Sequence, residues 1–337
     1  MPVSASLRAY HRNPITMAKT FLQCHETYSK TDTFSSRLDL IIDYLIDRVT
    51  SGILASQFNL KSGLLLDLHD ASKAKFFRQA VLTVNDFPDQ FSDASPRGHD
   101  LHPIGAHCPE ARESLSQEFR DFIKDPTSLG TIYVAFGSYV DLDSGPPGVV
   151  DKFINALNQL EKYRVIWSYK GATNRTKKHI KIVAWAPQQE ILAHPKTLVF
   201  FTHGGLKSVK EGVCANVAML FLPFFGDQAR NANSFVLRGI AESVHKLEFT
   251  VEGIVKKLRK LLKNHKYREN AQKMNREYLD SPMHSLDFGR FQVEKVGRLT
   301  EKHFFKFRRM AIDLSYVTFL SIDFVLLILS LILIVIV

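Results

Sequence analysis

From Trp185 to Gln228 the chain reads WAPQQEILAHPKTLVFFTHGGLKSVKEGVCANVAMLFLPFFGDQ. The apolar run Leu198–Phe201 leads through Thr202-His203 into Gly204-Gly205. A short helical segment carrying Ser208 and Glu211 follows, then a second apolar run, Ala218–Leu222. A strand, a glycine turn, a helix and a strand make one βαβ unit, and such units gather ligands at the carboxyl ends of their strands. The stretch therefore predicts a parallel sheet with a nucleotide-sized site at its carboxyl edge.

The same alternation extends on both sides. Ile132–Phe136 reads as a buried strand closed by Gly137-Ser138, followed by a helix over Val149–Glu161 and strands over Tyr163–Tyr169 and Ile180–Ala184. Helices are expected over Gln228–Arg238 and around Ile254, Val255, Leu258, Leu261 and Leu262, whose spacing leaves a lysine face outward. Alternating strands and helices with short connections predict an α/β, doubly wound parallel sheet. Residues 1–50 show mostly helical patterning, including Leu38, Ile41, Ile42, Leu45 and Ile46. Residues 86–109 hold Pro88, Pro96, Gly98, Pro103, Gly105 and Pro109 and read as a linker.

With 337 residues, 45% hydrophobic and 23% charged, the chain is long enough for two domains. The net charge of +10 suits phosphate-bearing or anionic partners, but most lysines fall on the solvated faces of amphipathic helices, and no run matches a nucleic-acid-binding module. Cys24, Cys108 and Cys214 form neither a metal-ligand cluster nor a disulfide framework; they leave room for one bridge. Val317–Val337, VTFLSIDFVLLILSLILIVIV, is 21 residues interrupted only by Thr318, Ser321, Asp323 and Ser330, which predicts one membrane-spanning helix. Lys302, Lys306, Arg308 and Arg309 make the preceding segment basic. The expected organisation is a partial amino-terminal domain and linker over 1–108, a Rossmann-like domain with returning helices over 109–300, a basic juxtamembrane segment over 301–316, and the span over 317–337.

Each chemical feature of the central stretch has a structural and a functional reading. Gly204-Gly205 is either a tight turn or an approach for a phosphate to a helix amino terminus. Ser208 and Glu211 have the spacing of a capping box, or they offer a phosphate donor and a carboxylate for two adjacent ribose hydroxyls. Trp185 before Pro187 and Gln188 is either core or a stacking face for a base. Asp227 beside Gln228 is either a helix cap or a pair for sugar hydroxyls.

Taken together, Trp185, Pro187, Gln188, His203, Gly205, Ser208, Glu211, Pro223, Asp227, Gln228, Asn231 and Ala232 resemble the signature of the UDP-glycosyltransferases: W-x-P-Q, then H-x-G-x-N-S-x-x-E, G-V-P, P-x-x-x-D-Q and N-A. Gly130–Ser138 resembles the first strand of that family's carboxyl-terminal domain. The segments at Ser281-Pro282-Met283 and Asp313-Leu314 are similar to its membrane-bound animal members. The resemblance implies a GT-B fold of two Rossmann-like domains. It implies Trp185 stacked on uracil with Gln188 beside it, and Glu211 on the ribose. His203, Gly205, Lys207, Ser208 and Ser138 would hold the diphosphate, and Asp227 and Gln228 the donor sugar. No metal or resident cofactor is implied; the UDP-sugar is a co-substrate. The implied activity is transfer of the sugar, with inversion, to a small lipophilic acceptor at the endoplasmic reticulum membrane, with related transferases as oligomeric partners.

Three departures qualify the resemblance. The family's base histidine, carried on an amino-terminal glycine-rich loop, and its orienting aspartate have no counterpart here, so no catalytic residue is assigned, and His11 and His25 lack that context. The chain is expected to be incomplete at its amino terminus. A protein that binds a UDP-sugar without catalysing transfer, pairing with a complete relative, is the alternative from another functional class; a membrane-interaction subunit with a decayed donor site is a third. Lys207 replaces an asparagine, and Asn216-Val217-Ala218 replaces Gly-Val-Pro.

Overall fold

The computed structural model describes Phe34, Leu38 and residues 82–91, 101–109, 114–171, 173–247, 249–299, 316–319 and 321–336. The readings made for residues 1–50, and for His11, Cys24 and His25 in particular, lie outside these, apart from Phe34 and Leu38, each in a helical position.

The centre is a six-stranded parallel sheet in the order β5-β4-β3-β6-β7-β8. Its strands are β3 (Thr131–Ala135), β4 (Arg164–Ser168), β5 (Ile180–Val183), β6 (Thr197–Thr202), β7 (Ala218–Phe221) and β8 (Ala241–Ser243). β3 is buried at every position, as a central strand covered on both faces must be. It pairs with β4 on one side and β6 on the other, Ala135 standing opposite both Ser168 and Thr202. The chain winds outward from β3 to β5, returns, and winds the other way from β6 to β8. The reversal falls between β3 and β6, where an open α/β sheet leaves a crevice at its carboxyl edge.

Helices cover both faces. On one, α2 (Val149–Leu157) and α6 (Val251–Lys263) bury Phe153, Leu157, Ile254 and Leu258 against Val134, Trp167 and Phe201. On the other, α1 (Gln117–Lys124), α3 (Gln188–Ala193), α4 (Leu206–Cys214), α5 (Gln228–Leu237) and α7 (Lys266–Leu279) bury Ile123, Ile191, Val209, Phe235 and Met274 against Tyr133, Phe200 and Phe221. The lysine-faced helix expected around Ile254 is α6. Its start is fixed by Thr250, whose hydroxyl accepts the Gly253 N–H at 3.0 Å, and Lys260 and Lys263 stand in its last turn, where they favour the helix dipole.

The proline-rich segment is closely attached. β1 (Thr83–Asn85) pairs in parallel with β2 (Leu101–Pro103), and Phe91 packs on the rings of Phe235 and Tyr278. The Tyr278 hydroxyl lies 2.6 Å from the Gly105 carbonyl oxygen, and Ser285, at the start of α8 (Ser285–Gly297), donates to the Ala106 carbonyl at 2.7 Å. Cys108 and Cys214 are joined as a disulfide.

Near the carboxyl terminus, where one span is expected, the described residues form α9 (Tyr316–Phe319) and α10 (Ile322–Ile336), and Ser321 has φ +52°. No helix among the described residues is long and apolar enough to cross a membrane.

Candidate functional site

The carboxyl ends of β3, β5, β6 and β7 bring the predicted residues together around the sheet reversal. β6 ends at Thr202, and the turn that follows puts His203 ahead of α4. Gly204 takes φ +86°, a conformation that suits glycine, so the chain can enter the helix immediately. The His203 ring is wedged between two glycines. A Cβ on Gly205 would lie 2.5 Å from its Nε2, and one on Gly137, at the end of β3, 2.9 Å from its Cε1. Burial pushes the His203 pKa down against a weaker pull upward from the Asp227 carboxylate, so the ring is neutral near pH 7.

The capping-box reading of Ser208 and Glu211 does not hold. α4 begins at Leu206 with Gly205 at its cap and no side-chain cap bond, so both residues lie within the helix. Their partners come from α3. Gln188 donates to the Glu211 carboxylate and to Ser208 Oγ at 3.3 Å, and Gln189 donates to the other Glu211 oxygen at 3.0 Å. A buried carboxylate is stable only when its oxygens are satisfied, and here two amides do so. The sequence reading did not include Gln189; the adjacent glutamines at the start of a helix were the available signal.

Trp185 is 78% exposed at the end of β5, so its ring is a free face, whereas Trp167 on β4 is fully buried and stacks on Tyr169. Asp227 occupies the cap position of α5 but makes no capping bond; its carboxylate accepts from Asn231 Nδ2 at 2.9 Å. The same amide donates to the Gly204 carbonyl at 2.8 Å. Gln228 is buried, and its Oε1 accepts the N–H groups of Phe224 and Phe225 at 2.7 and 3.1 Å, shaping the loop after β7. Lys246 donates to the Phe224 carbonyl at 2.8 Å and steadies that loop from β8's side. Ser138 and Lys207 are exposed, one just beyond β3 and the other in the first turn of α4. Among the described residues no group of histidine, cysteine or carboxylate side chains could hold a metal ion.

The arrangement is an exposed indole on one side, a glycine turn feeding a nine-residue helix in the centre, and a carboxylate with amide partners on the helix's inner face. Backbone N–H groups at such a helix start favour an anion. A sequence profile of the family described as "UDP-glucoronosyl and UDP-glucosyl transferase" matches residues 23–337. The chain belongs to the UDP-glycosyltransferase family.

Within that family, a UDP-glucuronosyltransferase of Pleuronectes platessa is 35% identical over 231 residues, 67% of this chain and 48% of the relative. The chain spans about half the length of the curated relatives it matches or less. Among solved structures, a UDP-glucose:anthocyanidin 3-O-glucosyltransferase in complex with UDP aligns with a TM-score of 0.54 and 26% identity, covering 66% of this chain and 55% of the other. The spinosyn forosaminyltransferase, at 18% identity, aligns with a TM-score of 0.58 over 88% of this chain and 68% of the other, a likeness of fold. The fold of this family member is GT-B-like α/β.

Proposed function

We propose that this chain binds a UDP-sugar at the β3–β6 reversal and serves as the donor half of a glucuronosyltransferase-like enzyme. The product is a glycoside of a small lipophilic acceptor, formed with inversion. The observation that carries the reading is the joining of Gln188, Ser208 and the buried Glu211, with Trp185 exposed three residues before Gln188. Trp185 offers a π-face for uracil, and Glu211 accepts hydrogen bonds from two ribose hydroxyls. His203, Ser208, Lys207, Ser138 and the N–H groups starting α4 surround the diphosphate. Asp227 and Gln228, at the head of α5, face the donor sugar.

In this reading an acceptor hydroxyl attacks the anomeric carbon as the C–O bond to the diphosphate breaks, and its proton passes to a base supplied by the acceptor domain. Charge accumulates on the departing diphosphate. Donors fixed before the reaction stabilise it without reorganising, and this is the donor half's main contribution to rate. His203, neutral near pH 7, donates from one ring nitrogen, and Lys207 adds a full positive charge.

Membrane association and an oxidising compartment belong to the same proposal. α10 is a run of exposed leucine, isoleucine and valine with Asp323 near its start. The Cys108–Cys214 bridge suits a compartment that maintains disulfides, such as the endoplasmic reticulum lumen.

The test is calorimetric titration of UDP into the full chain and into Glu211→Ala. Binding weakened by about 1.5–3 kcal/mol in the variant supports the reading. A folded parent that does not bind UDP overturns it. UDP binding without transfer from UDP-glucuronate, even with a complete acceptor domain supplied, favours the non-catalytic binding protein.

A further inference from the structure

Helix α4 meets the proposed ligand with its front and is held by its back. Lys210, immediately before Glu211, is buried, with its ammonium group 2.6 Å from the Asp86 carboxylate, just after β1. The Val213 carbonyl accepts from Asn275 Nδ2 of α7 at 3.0 Å. Cys214, the last residue of α4, is bonded to Cys108. The segment ending at Cys108 is itself pinned: Tyr278 accepts the His107 N–H at 3.1 Å, and Ser285 holds Ala106. Two independent links thus run from Asp86 and Cys108 to the same helical turn and a half that carries Glu211.

We infer that Asp86, Lys210 and the Cys108–Cys214 bridge are positioning residues that fix the height and rotation of α4, and so the placement of Glu211 against the ribose. The inference rests on the donor reading above. None of these groups needs to touch the ligand. In a positioned reaction a misplacement of ~1 Å from a distant change can cost about 100-fold in rate, so a clamp on the far side of the helix has leverage. Beneath α4 the packing is close: Gly212 lies against Met219, and a Cβ there would come within 2.8 Å of its sulfur.

The experiment titrates UDP into the full chain, into Asp86→Asn and into the double variant Cys108→Ala/Cys214→Ala, each also in a Glu211→Ala background, with thermal unfolding followed in parallel. The expected result is a UDP Kd raised about five-fold in each folded variant, restored in Asp86→Glu, with little or no further rise once Glu211 is gone, the non-additivity of coupled groups. Unchanged Kd in the folded variants, or an equal rise with and without Glu211, overturns the inference. Asp86 is 65% exposed, so Asp86→Asn leaves the core intact and carries the test if the cysteine variant does not fold. A folded parent that fails to bind UDP overturns the donor reading, a result distinct from binding that ignores the clamp.

Discussion

Asn231 donates from one amide nitrogen to the Gly204 carbonyl at 2.8 Å and to the Asp227 carboxylate at 2.9 Å. The turn before α4 and the carboxylate at the head of α5 are thereby held at a fixed separation by a buried residue that is itself 1% exposed. Asn231→Ala leaves the Gly204 carbonyl without this donor and is expected to destabilise the fold by about 1–3 kcal/mol. At a temperature where the variant remains folded, the Kd for a UDP-sugar should rise more than that for UDP, because Asp227 loses its anchor. Equal changes for both ligands would place the role of Asn231 at the diphosphate side alone.

Trp185 separates binding from stability. Because its side chain is 78% exposed, Trp185→Ala should change the unfolding free energy by less than ~0.5 kcal/mol. Loss of base stacking should weaken UDP binding by about 1–3 kcal/mol. Chemical denaturation beside calorimetric titration checks both, and an unaltered Kd would remove Trp185 from the site.

Gly205→Ala tests the wedge around His203. Gly205 has φ −63°, which any residue adopts, so the effect comes from contact rather than backbone strain. The new Cβ, 2.5 Å from Nε2, must push the imidazole out of its slot. UDP affinity is expected to fall about ten-fold with the loss of that phosphate donor, ~1.4 kcal/mol. Proton chemical shifts of the ring report the displacement directly.

Glu242 sets an acid limit on stability. Burial alone would raise its pKa, but Lys260, the Tyr267 hydroxyl and Lys257 all donate to it and hold it at about 2, below its ordinary 4.5. A depressed carboxylate contributes fully above its unfolded pKa, so this contribution is present above about pH 4.5 and is lost as pH falls toward 2. The lysines are partly exposed and solvent screens them, which leaves about 1–2 kcal/mol. Glu242→Gln should lower stability at pH 7 by roughly that amount and flatten its decline between pH 5 and 2, read from urea midpoints.

Local patterns made much of the fold readable. Each expected strand from Ile132 to Leu222 is present, because a central parallel strand must be apolar on both faces and little else in a sequence looks so. The signature placed Trp185, Gln188, His203, Ser208, Glu211 and Asp227 near one sheet edge because strand ends converge there. The roles within that edge were less legible. Ser-x-x-Glu has the spacing of a cap, and only the observed start of α4 at Leu206 excludes it. Asn216 stands where the signature has glycine, and the structure gives it φ +56°; asparagine tolerates this left-handed conformation better than most residues, so the turn is kept. The prolines of 86–109 suggested a loose connection, yet Phe91, Ala106 and Cys108 are tied to helices far along the chain. Contacts across 106 residues leave no periodicity to read.

The bond between Cys108 and Cys214 closes a ring around β3 to β6 and all of α4, with a sequence separation of 106. A protease that cuts one exposed loop within that ring opens the circle without releasing a piece. The nicked molecule keeps its mass on a non-reducing gel and divides only when a thiol is added. Damage to the strands that present His203 and Trp185 can therefore remain in place, with the severed ends still beside each other and able to hold their fold.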